Sequence, residues 1–377
     1  MNERLEQLPV HPLQELERLR DELLASGATV FDFGTGDAGE PIPEPVRAAL
    51  REAVPATARQ AGGGGARALR RAAADHLYRR FGVTVDPERE VLATMGSTEA
   101  LFHLPMLFAQ VPSDKDLVLY GEPAKPVYEL GALFAEAWTY AVPLSPANGW
   151  QMDPDLVPES VLRRAAVVFL NSPHDPTGAV LSDEVLQAWV RAREQYEFVL
   201  VDDEGQADLG NAKVRPRSLL EFGRRGCLVA HSLGERAGIS NWRSGFLAGD
   251  AGLIARARRF RTGMGIAPPD FLADAAAVAW RDDAHVAQRV ADLASKREVV
   301  GSVLAARGLR CRPGIGLYLW AELPLGVTDR EYAARCREVG ILVAPGSWFG
   351  KSQQHFVRVA LGPTLDQCRA AAAVWPG

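Results

Sequence analysis

Residues 166–178 read Ala-Val-Val-Phe-Leu-Asn-Ser-Pro-His-Asp-Pro-Thr-Gly. Five apolar residues, Ala166–Leu170, break abruptly into a segment whose two prolines and closing glycine suit neither helix nor strand. The pattern is that of a buried strand ending in a rigid loop. It has counterparts at Leu117–Tyr120, Phe198–Val201, Cys227–Ala230 and Gly245–Ala248, each bounded by Gly, Pro or Asp. Helical patterns lie between several of these runs, at Ala66–Arg80, Ser97–Phe108, Val127–Ala137 and Asp183–Gln195. Asp183 falls in a first helical turn, where a carboxylate suits the helix dipole, and Ser182 is placed to cap it. Strands alternating with helices predict an α/β fold whose sheet is mostly parallel and covered on both faces.

The C-terminal part has another rhythm. An arginine-rich helical stretch from about Asp250 to Val300 leads into strand-like Leu317–Glu322, Ile341–Val343 and Phe356–Leu361, interleaved with helical Asp329–Val339 and Leu365–Val374. This α+β arrangement predicts a second, smaller domain. The expected division is a large domain over 46–285 and a small one over 286–377. The N-terminal segment 1–45, with Leu13–Leu24 and Val30–Phe33, is expected to pack on the small domain.

Composition narrows the function. The chain has 377 residues and a net charge of −5, which offers no basic footprint for nucleic acid. No apolar run approaches the roughly 18 residues of a membrane span, and the start Met1–Glu6 lacks the apolar stretch of a secretory signal. Cys227, Cys311, Cys336 and Cys368 show neither CxxC pairing nor zinc spacing, so they read as reduced thiols of a cytoplasmic protein. Only five of 42 basic residues are lysine: Lys115, Lys125, Lys213, Lys296 and Lys351.

Three loops stand at predicted carboxyl ends of strands, where α/β enzymes keep chemistry. They are Met95-Gly96-Ser97-Thr98-Glu99-Ala100, the segment Asn171–Gly178, and His231-Ser232-Leu233-Gly234-Glu235-Arg236 with Asn241-Trp242-Arg243 following. Alone, a Gly-Ser-Thr turn opening a helix is either an anion site or simply a cap. Order and spacing together are more specific. The chain resembles the class I/II aminotransferases of the fold-type-I pyridoxal-phosphate (PLP) enzymes, and within them the bacterial succinyldiaminopimelate aminotransferase group. The resemblance starts at Phe31–Gly36 and runs through Pro43–Val46, Arg80–Val83, Asp86–Glu90, Pro123–Gly131 and Arg243–Phe246. It ends at Val343–Ser347 and Phe356–Ala360.

That resemblance implies roles. Ser97 and Thr98 match the phosphate cradle, and Ser232 and Arg243 the hydroxyl and guanidinium that complete it. Asp203 matches the aspartate that pairs with the ring nitrogen and makes the ring an electron sink. Arg358 matches the arginine that clamps a substrate carboxylate, a task suited to a planar bidentate donor. Gly36 and Gln206 fall at substrate-side positions. For Arg243 and Arg358 the bland alternative is a solvated surface arginine.

Departures from the pattern cluster at the same site. The family's imine-forming lysine stands three residues after the cradle serine, where this chain has Glu235. A carboxylate forms no imine with PLP. Asp175 replaces an asparagine that donates to the ring oxygen, Gln206 replaces a tyrosine, and Lys125 replaces the aromatic that lies against the ring. Gln60 falls where a tyrosine would cross from the partner subunit, beside Gly62–Gly65. Two carboxylates of such a cluster 5–6 Å apart would repel by roughly 3 kcal/mol at an effective dielectric near 20. The cluster must therefore shift a pKa, recruit a cation or pair with Lys125. A metal held with His174 matches no recognised motif, and none is expected.

The leading expectation is thus a repurposed biosynthetic enzyme that uses no PLP. It would act on an amino-acid-like carboxylate held by Arg358, with Glu235, Asp175 and Lys125 as acid/base groups. One alternative keeps PLP or pyridoxamine phosphate (PMP) bound non-covalently, with Glu235 as base. Another is a non-catalytic pseudoenzyme. The resemblance also implies a homodimer with its sites at the subunit interface.

Overall fold

The computed structural model describes residues 11–54, 62, 64–211, 213–312 and 314–377. In chain order its strands are β1 (Phe31–Phe33), β2 (Val91–Thr94), β3 (Leu117–Glu122), β4 (Trp138–Pro143), β5 (Ala165–Asn171) and β6 (Val199–Asp203). They continue with β7 (Cys227–Ser232), β8 (Gly245–Gly249), β9 (Arg310–Cys311), β10 (Tyr318–Glu322), β11 (Ile341–Pro345) and β12 (Phe356–Ala360).

Seven strands form one sheet in the order β2-β8-β7-β6-β5-β3-β4. The pairs from β7 to β4 are parallel, and β8 runs antiparallel to both of its neighbours. Strands β5 and β7 are almost wholly buried, as near-continuous apolar runs must be when helices cover both faces. The fold is that of the α/β, fold-type-I PLP-dependent transferases, with a mostly parallel sheet joined to a smaller α+β sheet. Two strands escaped the apolar-run criterion. β2 is only four residues long, and β4 is an edge strand whose Trp138 lies exposed.

The second sheet has the order β1-β11-β12-β10-β9. β1 joins it by pairing in parallel with β11, Phe31 opposite Ile341. It packs on a core built on Phe33, Leu304, Tyr332, Val359 and Trp375, while its Trp320 and Ala344 join the core of the large sheet. The stretch expected as one helical run from Asp250 divides into three helices, Ala251–Met264, Asp270–Arg281 and Asp283–Ala306. Gly265 ends the first in a left-handed conformation, Pro268 and Pro269 prevent its continuation, and Asp282 caps the third through the His285 N–H. The 24-residue third helix packs against both sheets' surroundings, contacting the helix Leu233–Ala237 on one side and β9 and the helix Leu365–Val374 on the other. Among the described residues no helix is long and apolar enough to cross a membrane.

Candidate active site

The carboxyl ends of β2, β5, β6 and β7 converge on one region, which β12 and the segment after β1 close from the other sheet. After β2 the chain turns at Gly96, whose φ of +80° is natural only for glycine, and enters the helix Ser97–Phe108. Ser97 is buried and its hydroxyl has no hydrogen-bond partner. Arg243 docks on this turn, with Nη2 donating to the Met95 carbonyl at 3.3 Å and Nη1 to the Ser240 carbonyl at 3.4 Å. A side chain on Gly96 would meet Arg243 Nη2 at 2.9 Å, so the glycine is what lets the guanidinium lie there. At the end of β7, Ser232 caps the short helix Leu233–Ala237, its Oγ accepting from the Gly234 N–H at 3.2 Å. Thr98, Ser232, Glu235 and Arg243, with Gly36 and Tyr318 opposite, line a cavity of about 160 Å³.

β6 ends in three consecutive buried acids. Asp202 accepts from the Ser172 N–H at 3.1 Å, and burial followed by Glu204 and Asp203 raises its pKa well above the usual carboxylate range. Asp203 is the one that faces the site. Its Oδ2 takes a short ion pair from Lys125 and accepts from the Tyr128 hydroxyl at 3.1 Å, while its Oδ1 is buried without a hydrogen-bond partner among the described residues. Burial by itself would lower the Lys125 pKa, but the carboxylates of Asp203, Glu235 and Asp175 hold it above the ordinary amine value. Glu204 points back into the fold. Its Oε1 accepts from Ser218 Oγ at 2.9 Å and the Leu219 N–H at 2.8 Å, and its Oε2 lies 3.0 Å from His231 Nε2. Burial pushes Glu204 up to about 8 and His231 down to about 4.

The loop after β5 is braced by Asn171, whose amide donates to the Asp203 carbonyl at 2.7 Å and whose Oδ1 accepts from the Asp175 N–H at 2.7 Å. Asp175 is thereby presented to Arg358 on β12, and Nη1 meets Asp175 Oδ1 at 3.1 Å. Arg358 is buried, with Tyr318 and Phe349 ring centroids 4.1 and 4.5 Å from its guanidinium carbon. Nη2 donates to the Gly34 carbonyl at 3.0 Å, and Nε has no partner. His174 turns aside to Thr177 Oγ1 at 2.8 Å, and burial takes its pKa down to about 4. Gln206 is buried, with Oε1 accepting from the Leu317 N–H at 2.7 Å. Gln60 lies outside the described residues.

The structure thus brings together Lys125 with Asp203, Asp175 with Arg358, and the cradle residues with Glu235. Sequence reasoning missed Tyr128, Asn171, Tyr318 and Gly205. Gly205 follows the acid run and leaves open the space between two carboxylates. A Cβ there would stand 3.4 Å from Asp203 Oδ1 and 3.5 Å from Glu235 Oε1. These are ordinary contact distances, and a meeting of such remote segments has no local sequence signal.

The unsatisfied atoms test whether PLP fits. The Ser97 hydroxyl, the Arg243 guanidinium and the start of a twelve-residue helix suit a phosphate. Asp203 Oδ1 is a buried acceptor in need of a donor, which a protonated ring nitrogen supplies. The residues fit the group.

Comparison with known proteins agrees. A family model described as "Aminotransferase class I and II" matches residues 28–374. The LL-diaminopimelate aminotransferase of Aquifex aeolicus is 30% identical over 98% of this chain and 97% of its own length. That of Syntrophobacter fumaroxidans is 32% identical over 99% of this chain and 96% of its own. A substrate-bound BacF structure from Bacillus subtilis superposes with a TM-score of 0.93 over 99% of this chain and 96% of its own, at 23% identity, a likeness of fold alone. These matches overturn the expectation of a PLP-independent enzyme with no cofactor. A match to aminotransferases along the whole chain implies PLP, and the orphaned acceptor at Asp203 gives that group a place.

Proposed function

Since the chain belongs to the class I and II aminotransferases, we propose that it binds PLP or PMP without a covalent link, Glu235 standing where the family keeps its lysine. The observation that carries this reading is the pair of carboxylates around Gly205, one of them Asp203 with an unpartnered oxygen. When bound, the cofactor supplies an electron sink for charge developing beside a substrate amino group. The chain's own residues do the rest. Ser97, Thr98, Ser232 and Arg243 hold the phosphate, and Asp203 faces the ring nitrogen. Glu235 accepts a proton at Oε1, in place of an amine base. Arg358 takes a carboxylate, with Gly36 and Gln206 on the substrate side, and Asp175 and Lys125 set the charge on either side. The substrate class we propose is an amino-acid-like carboxylate related to diaminopimelate or its succinyl derivative. The enzyme would work in the cytoplasm as a homodimer.

Near-ultraviolet and visible absorbance tests this. Titration with PLP should give a saturable spectral change, and borohydride should leave no covalent adduct. Glu235→Lys should convert the bound cofactor to a form that borohydride fixes to the chain. Absence of any spectral change on titration sinks the proposal.

A further inference from the structure

The two oxygens of Asp203 are in different states. Oδ2 is held by the Lys125 ammonium and the Tyr128 hydroxyl, whereas Oδ1 is buried and unpartnered. We infer that Lys125 is a resident counter-ion of Asp203 that lowers the basicity of a pyridoxal ring nitrogen held at Oδ1. This inference rests on the reading of the site as a PLP or PMP site. It adds a protonation state governed by one residue of this chain.

The argument is electrostatic. A carboxylate that already neutralises one cation stabilises a second one less. The charged and titratable groups facing Lys125 are Asp203, Glu235, Asp175, Tyr128 and Tyr318. Asp175 is paired with Arg358, and burial followed by nearby carboxylates keeps both tyrosines neutral. Glu235 is therefore the one carboxylate of the set without a resident cation on its oxygens among the described contacts, and it stands on the Oδ1 side of Gly205. It partly offsets the ammonium and cannot cancel it. Cations on opposite oxygens of one carboxylate stand about 6 Å apart. At an effective dielectric near 20, that repulsion moves a protonation equilibrium by about two pKa units.

Lys125 acts through Asp203 and is in that sense a positioning residue, which gives it a signature independent of turnover. The full-length protein is loaded with PMP and with PLP labelled with nitrogen-15 in the ring, and the ring signal is followed against pH. Lys125→Met removes the charge while keeping an unbranched chain; Lys125→Arg keeps the charge. The ring nitrogen should titrate about two units higher in Lys125→Met than in wild type, and Lys125→Arg should stay near wild type. The same titration should show Lys125→Met holding PLP more tightly at neutral pH. Identical midpoints in all three proteins overturn the inference and leave the cofactor reading intact. A borohydride-reducible adduct on Lys125 also overturns it, since the residue would then be an imine nitrogen and not an ammonium. No saturable binding to any of the three removes the cofactor reading, and the inference with it.

Discussion

At the scale of single residues, the two charges proposed above to meet a ligand, Arg358 and Asp203, each have a resident partner, Asp175 and Lys125. Arg358 is met by Asp175 at 3.1 Å, so an incoming carboxylate must compete with a carboxylate already in place. Asp175→Asn keeps the shape and removes the competitor. It should tighten binding of LL-diaminopimelate to the PMP-loaded protein about tenfold, or about 1.4 kcal/mol, as calorimetry would show. Unchanged affinity would mean that Asp175 does not guard Arg358. Without ligand the same variant should melt lower, because it leaves a buried guanidinium with less compensation. Legibility at this scale was uneven. Lys125 and Asp175 stood out because they carry charge where the family's pattern has neutral side chains. Pairing of Lys125 with the carboxylate cluster was one of the expected outcomes, but that Asp203, 78 residues away, takes it, and that Asp175 meets Arg358, 183 residues away, was not legible. Only the packing of the sheets sets those contacts.

At the scale of elements, the end of β6 is the unusual one, with Asp202, Asp203 and Glu204 all buried in succession. A strand tolerates this because alternate side chains leave on opposite faces, and here they reach separate sets of partners. Glu204 reaches Ser218, Leu219 and His231, and burial takes its pKa up to about 8. A carboxyl raised in the folded state stabilises the fold fully below its unfolded pKa, near 4.3, and that contribution fades as pH rises toward 8. Glu204→Gln keeps a neutral group of the same size. The stability difference between wild type and variant should therefore shift against the wild type as pH climbs from about 4.5 to 8, and level off beyond. Parallel melting curves with a constant offset would refute it. The depressed His231 works in the opposite direction, losing stability as pH falls through about 6.5 toward 4, so the variant series separates the two. Among elements, the buried parallel strands were legible because both their faces are covered and each contains a run of at least four apolar residues, as in Phe198–Val201 before the acids of β6. β2 and β4 were not, since a four-residue strand and a half-exposed edge strand carry little pattern. The division of the long helical stretch was signalled by Gly265 and the Pro268-Pro269 pair, which mark chain breaks more reliably than periodicity does.

At the scale of the whole molecule, the second sheet has a core of its own and also lends Trp320 and Ala344 to that of the large sheet, and Asp175 and Arg358 meet between the two sheets. The homodimer proposed for this chain predicts twice the chain's 40.8 kDa in light scattering at micromolar concentration. A stable species of one chain would contradict it. The alternation of strand and helix made the large sheet foreseeable, and the change of rhythm after Val300 did the same for the second one. The seam between them had no such signature, because it joins remote segments, through apolar packing of Trp320, Phe349 and Phe356 with Trp150 as well as through polar contacts. Arg358 spans that seam. It belongs to the small sheet through β12, yet its partner Asp175 hangs from the large sheet through β5, and Gln206 reaches from the large sheet's side to the backbone at Leu317. The guanidinium proposed above as a carboxylate receptor is thus also a tie between the two sheets. A carboxylate that displaced Asp175 from Arg358, as proposed above, would undo one of the polar contacts between the two sheets, so ligand affinity and inter-sheet stability would be set against each other.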